Sequence, residues 1–255
     1  MMRAKLSKAM SLVLALLMVC TCLTPAVFAA DGTGVAETSS RRTMQEWNEI
    51  LNTSDYKTYL ERHADKKQAS STVTIDATAY DADATTDREA EVLYDVNADG
   101  EHSLYTSDSG KVTWKFTVRE AGLYSVRLVC YPGNAKRGDN AEKSTDIERI
   151  LYVNGKVPFS EARSITITKK WAPQYEANGG FQEDLAGNDL RPHNLSAIEW
   201  IDYTVKDSTG YYTDPLLFYF AAGENTITLE ASREPMSIKQ IILEPEKEIP
   251  TYEEY

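Results

Sequence analysis

The stretch "KVTWKFTV", Lys111 to Val118, alternates without a break. Val112, Trp114, Phe116 and Val118 fall on one side; Lys111, Thr113, Lys115 and Thr117 fall on the other. Side chains of a strand point to opposite faces in turn, so a run like this folds as a strand with one buried and one wet face. The same period recurs along the chain. "STVTIDATAY" precedes it, and "LYSVRLVCY" follows the turn "REAG". "ERILYVNGKVPF" sets Asn154-Gly155 between apolar runs, the strongest short-range hairpin signal. "RSITIT", "EWIDYTV", "PLLFYF", "NTITLEAS" and "SIKQIIL" complete the series. Many short strands separated by turn chemistry, with no helical pattern between them, mean an all-β sandwich, here placed over residues 70–245.

What precedes the strands has a different period. Met44, Trp47, Ile50 and Leu51 recur at helical spacing, and so do Tyr56, Tyr59 and Leu60. "NTSD" between them offers a stop and a fresh cap, so residues 31–69 are read as a flexible leader followed by two short helices. Residues 1–30 have the makeup of a secretory signal peptide: Arg3, Lys5 and Lys8, an apolar run, then small Ala29 and Ala30. That run, Met10 to Leu23, is about 14 residues, short of the ~20 that span a bilayer, so no stable membrane span is expected after cleavage. Val19 and Thr21 precede Cys20 and Cys22, where a lipobox needs a small residue, so lipidation is not the reading preferred.

Removing the signal leaves Cys130 as the one cysteine, so internal disulfides cannot staple the fold and an ordinary apolar core must hold it. Cys130 sits in an apolar run, where it reads as a small buried hydrophobe. The signal carries three basic and no acidic residues, so the net charge of −12 becomes −15 in the mature chain. Such a surface repels nucleic acid and anionic membrane, and argues strongly against either as a partner.

Two long stretches without periodicity interrupt the strands. They are "PGNAKRGDNAEKST" and "KKWAPQYEANGGFQEDLAGNDLRPHNLSA", and loops of that length often carry function. "DVNADG", Asp95 to Gly100, matches the first half of a calcium loop, yet its twelfth position is Thr106 where a bidentate Glu is needed. A polar hairpin turn is the better reading, with structural calcium the alternative and no other cofactor expected. Nucleophilic or zinc chemistry lacks a signature, since His63, His102 and His193 stand outside any motif. A glycosidase needs two facing carboxylates, which an acidic chain supplies anywhere and which therefore point nowhere.

Sugars present apolar C–H faces and a rim of hydroxyls, so their sites join an aromatic platform to Asn, Asp and Arg. The second loop carries Trp171, Tyr175, Asn178, Asn188, Asp189 and Arg191, with Trp200 and Tyr212 shortly after. Trp171, Tyr175, Asn188, Asp189, Arg191, Trp200 and Tyr212 are the candidate ligand contacts; no catalytic or metal residue is assigned. Each also has a structural reading. Trp200 flanks a strand, and "GNDLRP" can lock its own loop. In that reading Asn188 and Asp189 bond nearby backbone N–H groups, Pro192 stiffens the exit and Arg191 forks onto carbonyls.

From "VTWKFTVREAGLYSVRLVCYPG" to "AAGENTITLEASREPMSIKQIIL" the chain resembles a galactose-binding-like jelly-roll β-sandwich of the carbohydrate-binding-module type. "NDLRP", "DSTGYY", "PLLFYF" and "SREPMSI" narrow this to a likeness with the amino-terminal module of large extracellular solute-binding proteins of ABC sugar transporters in anaerobic Firmicutes. The likeness covers roughly residues 70–245. It implies extracellular recognition of a glycan or oligosaccharide without catalysis, and an ABC permease as partner through carboxyl-terminal lobes that this chain lacks. Residues 246–255 then read as a linker at a truncation point, where Tyr252-x-x-Tyr255 echoes Tyr56-x-x-Tyr59. Two other functions stay open: a docking sandwich that binds a protein partner, and a glycan-active enzyme.

Overall fold

Thr43 accepts a hydrogen bond from Glu46 N (3.2 Å), and the Glu46 carboxylate accepts from Thr43 N (2.7 Å). This reciprocal cap starts helix α1 (Met44–Leu51). Asp55 accepts from Thr58 N (2.7 Å) and starts α2 (Tyr56–Arg62), so "NTSD" is the stop and fresh cap its composition suggested. The computed structural model describes residues 43–136, 145–175 and 179–246. The signal peptide and leader, residues 137–144, residues 176–178 with Asn178, and the tail 247–255 lie outside the described residues.

Seven antiparallel strands form one sheet: β1 (Val73–Asp76), β2 (Glu91–Tyr94), β3 (His102–Thr106), β5 (Gly122–Tyr131), β10 (Ile201–Thr204), β11 (Leu217–Phe220) and β13 (Met236–Glu244). β5 and β13 run through its centre. β10 and β11 share one edge of β5 in tandem, and β3 and β1 share the far edge of β13 in the same way. The second sheet orders β4 (Lys111–Val118), β12 (Gly223–Arg233), β6 (Ile147–Val153) and β7 (Ile165–Ile167). Trp114 pairs with Ile227 across β4 and β12, and Leu229 with Leu151 across β12 and β6. Their side chains meet Val126, Leu128 and Cys130 of β5 and Ile238, Ile241 and Leu243 of β13 in one core. The described residues from Thr43 onward, helices included, belong to one compact unit.

Two polar devices tie this core together. Trp114 is fully buried and its indole N–H donates to Ala77 O (2.8 Å), which meets the one polar need of that ring. Arg149 sits in an inward position of β6 and is almost wholly buried. Its guanidinium donates to Arg233 O and Glu148 O (2.9 Å each) on its own side and to Thr106 Oγ1 and Ser107 O (3.3 Å each) at the end of β3. Burial holds its pKa down at about 10.

Several expectations come out differently. Asn154 (φ 50°) and Gly155 (φ 77°) make the two-residue turn, but the return is a single bridge from Val153 to Lys156. The partners of β6 are β12 and β7, because Val157 and Phe159 leave the ladder to join the core. On α1 only Ile50 is buried, while Met44, Trp47 and Leu51 are exposed in spite of their spacing. "DVNADG" is the polar turn between β2 and β3. Asp95 accepts from Gly100 N (2.6 Å), and Lys239 binds Asp99 (2.8 Å) and Glu101 (2.9 Å).

Candidate functional site

β8 (Trp171–Pro173) and β9 (Asn194–Ser196) belong to neither large sheet; they pair with each other as a ribbon. Its base is fixed by charge. Lys169 is buried, with its ammonium 3.2 Å from the buried Glu234 carboxylate, and its N–H donates to Asp146 (3.0 Å). Lys170 pairs with Glu199, and Ala197 N donates to Lys170 O (2.8 Å). The ladder runs on through Gln174 N to His193 O (2.7 Å).

The far end of the ribbon closes on itself. Leu190 N donates to Gln182 O (2.6 Å), Asp184 N to Asn188 O (2.9 Å), and Glu183 faces Asp189 in a bridge. Gly187 takes φ 81°, a left-handed geometry suited to glycine. The Asp184 carboxylate accepts from Asn188 Nδ2 (2.9 Å), Asn188 N (2.9 Å) and Ala186 N (2.8 Å). Those bonds, from the Asn188 side chain first, hold its pKa below the usual carboxylate range. "GNDLRP" is therefore half of a self-locked hairpin, and the residue that locks it, Asp184, lies upstream of the motif.

Large side chains stand out from this arm. Trp171 is 41% exposed, Tyr175 49% and Phe181 48%, and Leu185 at the tip is fully exposed. The rings of Tyr175 and Phe181 meet edge to face, with centroids 5.6 Å apart and planes at 77°. By strand alternation Trp171 and Pro173 share a face with Asn194. Five of the seven candidate contacts thus lie on one arm: Trp171, Tyr175, Asn188, Asp189 and Arg191. Phe181 belongs with them and was missed, because "GGFQED" carries no periodic pattern that marks a ring as exposed.

The other two candidates lie elsewhere. Trp200 donates its indole N–H to Val96 O (3.0 Å). Lys239 sits 4.3 Å over its ring, and Tyr131 is 5.6 Å away, beside β5 of the seven-stranded sheet. Tyr212 packs edge-on against Tyr56 of α2 (5.0 Å). Its loop, "DSTGYY", is tied by Asp207, which accepts from Thr209 Oγ1 (2.7 Å) and from the N–H groups of Tyr211 (2.8 Å) and Tyr212 (3.1 Å).

Two open cavities compete with the ribbon. One, about 480 Å³, lies between α1 and the outer face of β6 and is lined by Glu46, Glu49, Lys111, Tyr152 and Lys156. Most of its polar groups serve the fold: Glu46 caps α1, Glu49 accepts from Gln45, and Tyr152 and Lys111 both reach Glu230. The other, about 300 Å³, sits by the gap between β10 and β11, where Glu244 is bound by Arg127 (2.6 Å). Among the described residues no group of three or more His, Cys, Asp or Glu is placed to hold a metal ion. None of their helices is long and apolar enough to cross a membrane.

No protein-family model matches the chain, and no curated protein does. The solved structures to which the chain is similar include carbohydrate-binding modules and glycoside hydrolases. A family 35 carbohydrate binding module from Clostridium thermocellum is 11% identical, with 68% of this chain and 98% of that one covered (TM-score 0.40). The C-terminal CBM6 of LamC, a laminarinase of Zobellia galactanivorans, is 12% identical over 68% and 99% (TM-score 0.35). A GH26-CBM35 β-(1,4)-mannanase from Podospora anserina is 16% identical over 71% of this chain, which spans 29% of that enzyme (TM-score 0.39).

Proposed function

We propose that this chain is a secreted, non-catalytic glycan-binding module whose β8–β9 ribbon is the binding surface. One observation carries the reading. Three aromatic rings, Trp171, Tyr175 and Phe181, stand about half-exposed on an arm whose own backbone is locked at both ends. Burying such rings against the apolar face of a sugar is favourable, and backbone already held by hydrogen bonds has less ordering entropy to lose on binding. Asn188, Asp189 and Arg191 sit on the same arm to meet hydroxyls.

Within a longer polypeptide the module would serve as the accessory domain of an ABC-transporter solute-binding protein. Its lobes, and an ABC permease beyond them, would receive the captured sugar.

A second reading rests on Leu185, Leu190 and Leu195, aliphatic side chains exposed on the same ribbon that a sugar does not need. It makes the arm a docking finger for a protein. Affinity electrophoresis of the folded domain in gels containing soluble polysaccharides decides between the two. Retardation in at least one glycan is expected. Free migration in all, with retention on a co-expressed surface protein or permease, would replace the first reading with the second.

A further inference from the structure

The charges around the ribbon set which glycans it can accept, an inference that rests on the glycan reading above. Glu183, Asp184 and Asp189 lie exposed at the closed end of the arm, and Asp184 stays ionised well below neutral pH. Of the basic residues nearby, Lys169 is buried against Glu234 and Lys170 is paired with Glu199. Among the described basic residues of this stretch, that leaves Arg191 to meet an anion. The whole chain adds a net charge of −12 behind this. At ordinary ionic strength charges act over about 8 Å, and Glu183 follows Phe181 by two residues, so the acidic end of the arm bears on anything lying against the Tyr175–Phe181 corner.

Ring geometry narrows the form of the ligand. A flat, packed polysaccharide face is met best by coplanar rings. Tyr175 and Phe181 stand at 77° to each other and make a corner that holds one strand of sugar on two sides.

We propose that the ribbon selects a single, uncharged polysaccharide chain and rejects polyuronates and sulfated glycans through Glu183, Asp184 and Asp189. The test titrates the intact domain with a soluble neutral β-glucan, mannan and galactan, with polygalacturonate and a sulfated galactan, and with insoluble cellulose, at low and at physiological salt. At least one neutral chain is expected to bind ten-fold or more tighter than either polyanion at low salt, with affinity for it unchanged by salt. The E183Q/D189N double variant, which keeps the Asp184 lock, should narrow that gap several-fold by tightening polyanion binding. Polyanion binding equal to or tighter than neutral binding would overturn the inference and leave the glycan reading standing. So would binding confined to the insoluble polymer, or an unchanged gap in the double variant. No binding to any glycan would remove the glycan reading itself, and this inference with it.

Discussion

Asp184 and Asp207 do the same work at two places in the chain. Each is a short carboxylate that gathers N–H groups from the turn after it, and each is held below its ordinary pKa. For Asp184 the cause is the Asn188 side chain and then the backbone; for Asp207 burial pulls upward and the bonds from Thr209 and the following amides outweigh it. A depressed native pKa means that the stabilisation is complete above the unfolded value of about 3.9 and is lost as pH falls through the native one. The Ala186 and Asn188 amides, which donate to this carboxylate, should therefore stay protected from hydrogen exchange at pH 5 and lose protection only as pH falls through the depressed native value. Asp184→Ala should abolish that protection at pH 7 while leaving the thermal midpoint in place. "GNDLRP" could be recognised as self-locking from its own residue types, but the lock came from "FQED", because a hydrogen-bonded turn places its acceptor at the first residue. Cys130, in turn, is fully buried and its thiol is pushed up to about 12 by that burial. It should resist alkylation in the native protein and react on unfolding.

Among elements, the pairing of α2 with β11 says most about how this sandwich protects an edge. β11 leaves two N–H groups, of Leu217 and Tyr219, pointing away from β5. The hydroxyls of Tyr56 (2.8 Å) and Tyr59 (2.7 Å) accept them. An unpaired strand edge is an aggregation template, so the Tyr-x-x-Tyr helix closes one. Tyr56→Phe removes an acceptor from a buried N–H and should cost about 1–3 kcal/mol in urea unfolding. Burial pushes both hydroxyls up to about 12. The unfolded tyrosine ionises near 10, so stability is full below that and falls as pH rises toward 12. The two together should contribute a few kcal/mol of alkaline destabilisation, on the order of 1.4 kcal/mol per pKa unit, that the double phenylalanine variant lacks.

The long strands were legible because one face of each is covered, as "KVTWKFTV" shows. β2 was not, since Val92 and Tyr94 stay exposed on an edge and "EVLY" has no buried face to give it a period. β13 hides its period with a bulge: Met236 and Ile238 face the core, the register shifts at Lys239, and Ile241 and Leu243 resume. β8 and β9 were hidden in a loop because their ladder has no core face at all. What fixes the ribbon, the Lys169–Glu234 pair, lies across 65 residues of sequence. Lys169→Met removes the ammonium from the buried Glu234 carboxylate, and a lower stability in urea unfolding is expected.

At the scale of the whole molecule, the fold and the proposed site rest on different elements. The two large sheets bury the aliphatic and aromatic core, with Arg149 joining their ends. Three exposed aromatics, Trp171, Tyr175 and Phe181, stand on the arm that carries the β8–β9 ribbon, while Trp47, Tyr94 and Tyr211 are scattered over other elements. A surface built this way can lose its rings without losing the fold, and the central claim depends on that separation. The most direct measurement is calorimetric titration of the wild type and Trp171→Ala with whichever polysaccharide retards the wild type, alongside their thermal midpoints. The account predicts at least a ten-fold loss of affinity at an unchanged midpoint. Equal affinity in the two proteins would contradict it and move the binding surface off the ribbon face that Trp171 occupies.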